Sequence, residues 1–507
     1  MHTFNPKTLG KSSFTARTWL PLLTLLGVSL TLTITSVQHA SAAGIVGTGT
    51  PASCTEAALN KALADGGNVY FNCGASPHTI PVTREKVVAN NTLIDGMTNG
   101  QSLITLSGRG QNRIFSTQNG VEFTVKNLTI VDGFTTDQGG GISSGFQGKL
   151  RVVDCTFSNN VSTKQGEFDG GGAIYIQSEG TAIIQRSSFD GNQAGNGGAI
   201  HNLLSDLTVL NSTFTGNESV RSGSGGGGGA IYIDGAKGDN GKIIIRSSLF
   251  TNNTAVLQGG AIFSQLYNNN TNTIENSTLS GNSVTGTGNQ GFGGGIFSVG
   301  GGANTALSLV NTTLSENTAS SQGGGLWSGN GLTVNITNST IFGNQAISAN
   351  GSGIGGGIMR TSGTINITNS TIANNSAGFE GGGIVGGTAT TITNVIIANN
   401  TANNGGNSII KNNCLDALTN GGNNLQFAAN NPNDTECGAG IPIADPLLAS
   451  LANNGGSTET VALLPGSPAI DAANNAACPA TDQRGVARPQ GAHVTLVLLR
   501  HNNFRGC

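Results

Sequence analysis

Nine times along the chain an aliphatic residue is followed five positions later by a second large apolar residue, and three positions after that by asparagine. The aliphatic members are Val152, Ile184, Val209, Ile245, Ile274, Leu309, Ile336, Ile367 and Ile392. The second members are Phe157, Phe189, Phe214, Phe250, Leu279, Leu314, Ile341, Ile372 and Ile397. The asparagines are Asn160, Asn192, Asn217, Asn253, Asn282, Asn317, Asn344, Asn375 and Asn400. Between recurrences stands Gly-Gly-[Ala/Gly]-[Ile/Leu], ending at Ile174, Ile200, Ile231, Ile262, Ile296, Leu326, Ile358 and Ile384, with Ile142 and Ile409 as degenerate ends. Nine steps over 409 − 142 = 267 residues set a period of about 30.

A helical repeat of that length needs long 3.6-periodic stretches of good helix formers. Here each unit is broken by glycines and filled with β-branched residues, Asn and Ser. Short alternating runs such as Leu207–Val209 and Ile365–Ile367 read as strands. Propeller blades would need about 40 residues each. The pattern therefore predicts an all-β parallel solenoid, one coil per repeat. A single coil cannot bury its apolar face, but stacked coils can, and like residues then form columns about 4.8 Å apart. The nine asparagines are expected in left-handed turns, hydrogen-bonded to one another as a structural ladder. Paired glycines suit a positive-φ turn and close backbone approach. The stretch between asparagine and Gly-Gly varies from "QAG" to "QAISANGSGI". Binding specificity is expected in those loops or on the adjacent sheet face.

Composition adds limits. There are 80 glycines, charged residues make up 10% of the chain, and the net charge is −3. Lys7, Lys11 and Arg17 precede an apolar run, and "ASA" ends at Ala42, which reads as a cleaved export signal over residues 1–42. Its removal leaves 20 − 26 = −6. That balance gives no footprint for nucleic acid, and no later stretch is long enough to span a bilayer. Export frames the cysteines: Cys54 with Cys73, and Cys414 with Cys437, are candidate local disulfides at the two ends of the fold. Cys155 reads as a small buried residue.

Catalytic candidates are sparse, and no catalytic residue, metal or cofactor is assigned. His201 is the one histidine of the repeat region and reads as a surface turn residue. Asp169, Asp190, Asp206 and Asp234 are scattered in phase, while Arg186 and Arg246, with Arg151 nearly so, share a repeat position that would make a basic stripe. "SGSGGGGG" (222–229) is a loop, since no Lys-Ser/Thr or helix follows. "DGAKGDNG" (234–241) lacks the ligand spacing and terminal Glu of a calcium loop. The Asn-x-Ser/Thr triplets arise from the repeat itself.

The alternating "GGAI" and "FxxN" phrases over about 127–410 resemble the repeats of polymorphic outer membrane proteins. That resemblance implies a right-handed parallel β-helix on a cell surface and an adhesive role. Those proteins end in a membrane barrel, which nothing after residue 410 matches. "CTEAALNKALADGG" (54–67) reads as a short helix; with the strands that follow, 43–126 resembles the capped first coils of the pectate-lyase-like superfamily. Residues 411–491 read as a C-terminal end module, in which "DPLLASLANNGGSTETVALLPGSPAIDAANNAACPATDQRGVARPQG" (445–491) resembles the choice-of-anchor module that normally continues Cys-Asp-Ile-Gly-Ala-Phe-Glu. The chain instead reads "HVTLVLLR"; those residues can be encoded CAT GTG ACA TTG GTG CTT TTG AGG, a choice of codons that, read from its third base, gives the expected phrase. Residues 492–507 are therefore expected to be an out-of-frame tail. The resulting expectation is an exported, cell-surface or secreted, non-enzymatic β-helix protein contacting glycans or neighbouring cells. The alternative is a polysaccharide lyase or glycoside hydrolase.

Overall fold

The computed structural model describes residues 43–221, 226–286, 290–348, 351–404, 412–428 and 437–488. The expected signal segment, the tail, Ile409 and part of the 222–229 loop lie outside them.

Each repeat winds once around a right-handed parallel β-solenoid. The coil from Asp206 shows the order. Asp206–Leu210 enters a first sheet, Thr213–Thr215 a second, Glu218–Ser219 a short third and Ile231–Asp234 a fourth; the chain then rejoins the first sheet at Lys242–Arg246. The four sheets hold 14, 13, 10 and 11 strands, each paired with the strands one coil before and after. Val209 pairs with Ile184 below and Ile245 above; Phe214 pairs likewise with Phe189 and Phe250. Like positions therefore lie over one another, and the core is a set of columns. The Val/Ile/Leu members and the Phe/Leu/Ile members all sit in one continuous apolar cluster, essentially without solvent contact. The rings of Phe157, Phe189, Phe214 and Phe250 stack with centroids 5.0, 4.7 and 4.6 Å apart.

Sharp corners separate the sheets, and each has a chemical cause. Between the first and second sheets one residue takes positive φ, at Asn211, Asn276, Asn311, Asn338, Asn369 and Asn394 among others. Asparagine tolerates that conformation better than other side chains with a β-carbon. The Ser or Thr that follows then serves the next coil: the amides of Ser187 and Ser212 donate to the hydroxyls of Ser212 and Ser248. This corner is the origin of the Asn-Ser-Thr words.

Gly198, the second of its glycine pair, meets a different demand. A β-carbon there would lie 2.2 Å from the Gly229 carbonyl oxygen and 2.5 Å from the Glu218 nitrogen. Side chains are excluded because two coils touch by their backbones.

The ends are closed. Helix Glu56–Leu63, capped by Thr55, buries Leu59 and Ala62 and packs against the first strand, Ala43–Val46. Cys54 and Cys73 are bridged beside it, with Cα atoms 5.6 Å apart. At the far end a Cys414–Cys437 bridge joins the core with Leu418 and Ile441.

The segment after Asp445 does not add a coil. It forms a hairpin, Leu448–Ala452 with Thr460–Leu463, and packs Ala462, Leu463, Ala469 and Ala473 on Ile396, Ala398 and Leu425 of the second sheet. From there it runs back along the solenoid. Asn423 donates to the Ala472 carbonyl, Asn394 to that of Asn474 and Asn338 to that of Thr481. Buried Gln483 bonds Thr313, Thr340 and Thr458. The strap is held by the same corner asparagines that turn the coils.

Candidate binding surface

The asparagines after the Phe/Leu/Ile column form the longest polar feature of the interior. Asn160 Nδ2 donates to Asn192 Oδ1 at 2.9 Å, and the pattern repeats through Asn217, Asn253, Asn282, Asn317, Asn344, Asn375 and Asn400. It ends on a further member, Asn413, which the repeat phrase does not reveal. Each internal amide is fully used. Asn217 Oδ1 accepts from both the backbone and the side chain of Asn192, and Asn217 Nδ2 donates to Asn253 Oδ1 and to the Phe189 carbonyl. These residues do not themselves take the left-handed conformation. The residue just before each does: Asn159, Gly191, Gly216, Asn252, Gly281, Glu316, Gly343, Asn374 and Asn399. That turn aims the following amide inward, where no water competes for it. The ladder therefore holds the molecule together and offers nothing to a ligand.

His201 is not on a surface turn. It lies on strand Ile200–Leu203 with no solvent exposure, its ring between those of Tyr175 and Tyr232 at 5.2 and 4.9 Å. The column continues through Phe263, Phe297 and Trp327. All six occupy the position after the Gly-Gly-x-Ile isoleucine, on the outer side of the fourth sheet. That position carries its own period in the sequence, which could have found them. Neither imidazole nitrogen has a well-formed hydrogen bond; the ring has only a poorly aligned contact with the Asp169 backbone. Burial lowers its pKa to about 3. It can neither reach a substrate nor hold a proton near neutrality.

The remaining candidates are dispersed. Arg246 stands in register with Leu210 and Gln185, whereas Arg186 is one residue further on in the corner, and Arg151 aligns with Ile183 and Thr208. Arg186 stands two residues after Ile184 and Arg246 one after Ile245, so they do not share a repeat position and no basic stripe forms. Arg186 binds Asp154 at 2.7 Å and Arg246 binds Glu275 at 2.6 Å. Asp169 pairs with Lys164, and Asp206 accepts the backbone amides of Lys237 and Lys242. Buried Asp234 accepts from the Tyr267 hydroxyl, and burial raises its pKa. Asp190 lies exposed on the second sheet. In the 234–241 segment Asp239 accepts from Asn268, so its carboxylates face different partners. Among the described residues no group of three acidic, His or Cys side chains could hold a metal ion. Cys155 is buried, and desolvation pushes its thiol up to about 12.

The outer sides of the first and second sheets both reach solvent in regular order, and the C-terminal strap packs on the second. From residue 122 to 275 the first carries charges, several neutralised by the neighbouring coil: Lys149 by Glu122, Lys126 by Asp95, and Arg246 by Glu275. Beyond residue 300 its rungs read Ala306–Ser308–Val310, Thr333–Asn335–Thr337, Thr364–Asn366–Thr368, then Thr391 and Thr393, with no charge on that face. Asn366 Nδ2 donates to Asn335 Oδ1 at 3.0 Å, and the Thr364 hydroxyl donates to Thr333 at 3.3 Å. These two pairs are thus fixed across neighbouring rungs. A recess of about 300 Å³ opens where the strap meets the second sheet. Thr251, Thr278, Ser280, Ser457 and Glu459 line it.

Coiled topology and register define a right-handed parallel β-helix protein. A family model described as a right handed beta helix region matches residues 112–310. Among solved structures the chain is similar to that of the Streptococcus pneumoniae surface protein and adhesin PfbA. The identity is 12% and the TM-score 0.31, over 74% of this chain and 93% of that one. No curated protein matches the sequence.

Proposed function

We propose that this chain is an exported surface or secreted scaffold that works by adhesive contact, without turnover, through the outward faces of its coils. The observation that carries the reading is the ordered outer side of the first sheet, where hydroxyl and amide groups recur rung after rung and two pairs of them are bonded between rungs. Its support also comes from the groups a polysaccharide lyase or hydrolase would use. Such an enzyme needs an acid and a base placed at one bond. Here the imidazole is sealed between tyrosines, and Arg186 and Arg246 are bound to carboxylates on neighbouring rungs. The repeat phrases, shared in kind with polymorphic outer membrane proteins, and the leader-like first 42 residues point the same way.

The test pairs binding with turnover. The purified protein is screened on glycan arrays and whole cells, and is incubated with pectin and alginate while release of unsaturated sugar is followed. Retention without release is the expected result. Release that disappears on substituting Arg186 or Arg246 would establish an enzyme instead.

A further inference from the structure

Resting on the contact reading above, we infer that the uncharged half of the first sheet, from Ser308 to Thr393, is a binding face for an extended neutral polysaccharide. The argument begins with charge. The mature protein is expected to carry −6, so an acidic polymer is repelled at long range. On this face upstream, Lys126, Lys149 and Arg246 are already held by Asp95, Glu122 and Glu275. Arg151 and Lys242 are the other outward cations of that stretch, too few for a row of carboxylates or sulfates. Downstream the face has no charge, so it takes a partner whose groups are hydroxyls, with no desolvated ion on either side.

Geometry agrees. Rungs repeat at about 4.8 Å, and outward residues on one strand lie about 6.6 Å apart. The result is a lattice of donors and acceptors running from Ser308 over the three strands that follow, with Ala306 and Val310 as apolar neighbours. Four of its side chains are fixed before any ligand arrives. The Asn366–Asn335 and Thr364–Thr333 bonds hold them in files, and this lowers the ordering cost of binding. In the Asn file one donor, Asn335 Nδ2, and one acceptor, Asn366 Oδ1, have no partner in the fold, and both belong to outward side chains. Thr364 and Asn366 are exposed. The C-terminal strap lies on the second sheet and the corner, and leaves this face open.

The experiment is a pull-down of the purified protein on cellulose, chitin and curdlan, with pectate and alginate gels as acidic counterparts, at low and high salt. Retention on at least one neutral polymer, insensitive to salt, is expected. The triple variant Thr364→Ala, Asn366→Ala, Thr368→Ala should weaken it by about tenfold or more, as loss of two or three ordinary hydrogen bonds would. All three positions point outward, so melting and circular dichroism should not change. Thr208→Ala, upstream on the same face, should bind as the parent does. Undiminished retention of the triple variant, or salt-sensitive capture by pectate or alginate, overturns this inference and leaves the contact reading standing. Shaped ice growth without glycan retention would also overturn it, in favour of an ordered water surface. A protein that binds no glycan and no cell overturns both.

Discussion

Asn253 shows how a single side chain serves two coils. Its Oδ1 accepts from the backbone and the amide of Asn217, and its Nδ2 donates to Asn282 and to the Phe214 carbonyl. Asn253→Ala leaves buried donors and an acceptor unpaired, each costing roughly 1–3 kcal/mol. We expect a loss of about 3 kcal/mol or more in denaturant melts. Asn160→Ala, at the first rung, should cost less, because below it only the Gly133 amide depends on Oδ1. His201 gives a pH prediction. Its pKa is lowered to about 3, so the folded state favours the neutral ring. The unfolded chain binds a proton near pH 6.5, and the folded one does not until about pH 3. Stability from this residue is therefore whole above pH 6.5 and is lost as pH falls through that window. His201→Phe keeps the stack and should flatten the dependence of melting temperature on pH between 7 and 4; an unchanged slope would assign the effect elsewhere. The ladder asparagines and both apolar columns are legible in sequence because an exact offset of five and three residues survives every loop insertion. The burial of His201 is not legible, because it depends on rings contributed by the coils above and below. The Arg186 and Arg246 alignment fails on counting alone: Arg186 stands two residues after Ile184 and Arg246 one after Ile245, with the same five-residue step to Phe189 and Phe250.

Corners and caps set the limits of the elements. Two glycines, Gly216 and Gly198, separate the two reasons a corner needs this residue. Gly216 has φ +59° and no atom near its missing β-carbon, whereas at Gly198 that carbon would strike backbone of the adjoining coil. Gly216→Ala should cost about 1 kcal/mol, the left-handed penalty alone. Gly198→Ala should cost clearly more, because two rungs must separate; equal melting temperatures for the two variants would contradict this. At the N-terminal cap, Glu56 on the helix binds Lys86 and Thr83. Burial opposes its ionisation, but those hydrogen bonds win and hold its pKa at about 2. Its contribution is present above the ordinary carboxylate range and is lost as pH falls from about 4.5 to 2. Glu56→Gln should remove that acid dependence and loosen the helix first, as read by hydrogen exchange at Leu59 and Ala62. The helix itself is readable from "CTEAALNKALADGG", since Thr-Glu starts it and Gly-Gly stops it. The strap is not: its residues carry no period, and their partners lie up to about 170 positions away in the chain.

At the scale of the whole molecule, stability is shared between rungs and strap. Gln483 is buried and bonds threonines of two coils as well as the hairpin-side Thr458. Gln483→Ala should destabilise by roughly 1–3 kcal/mol. Ending the chain at residue 444 should do more, exposing Ile396, Ala398 and Leu425 and raising the binding of an apolar dye. The N-terminal coils should be little affected, since a solenoid passes stability chiefly between neighbours. The strap has a mechanical corollary. Tension on the chain end beyond Arg488 enters at Asn338 and Thr340, several coils before the last rung. A tug would peel a fastener of side-chain bonds before it unwound any rung, and the solenoid would stay coiled while its tether lengthened.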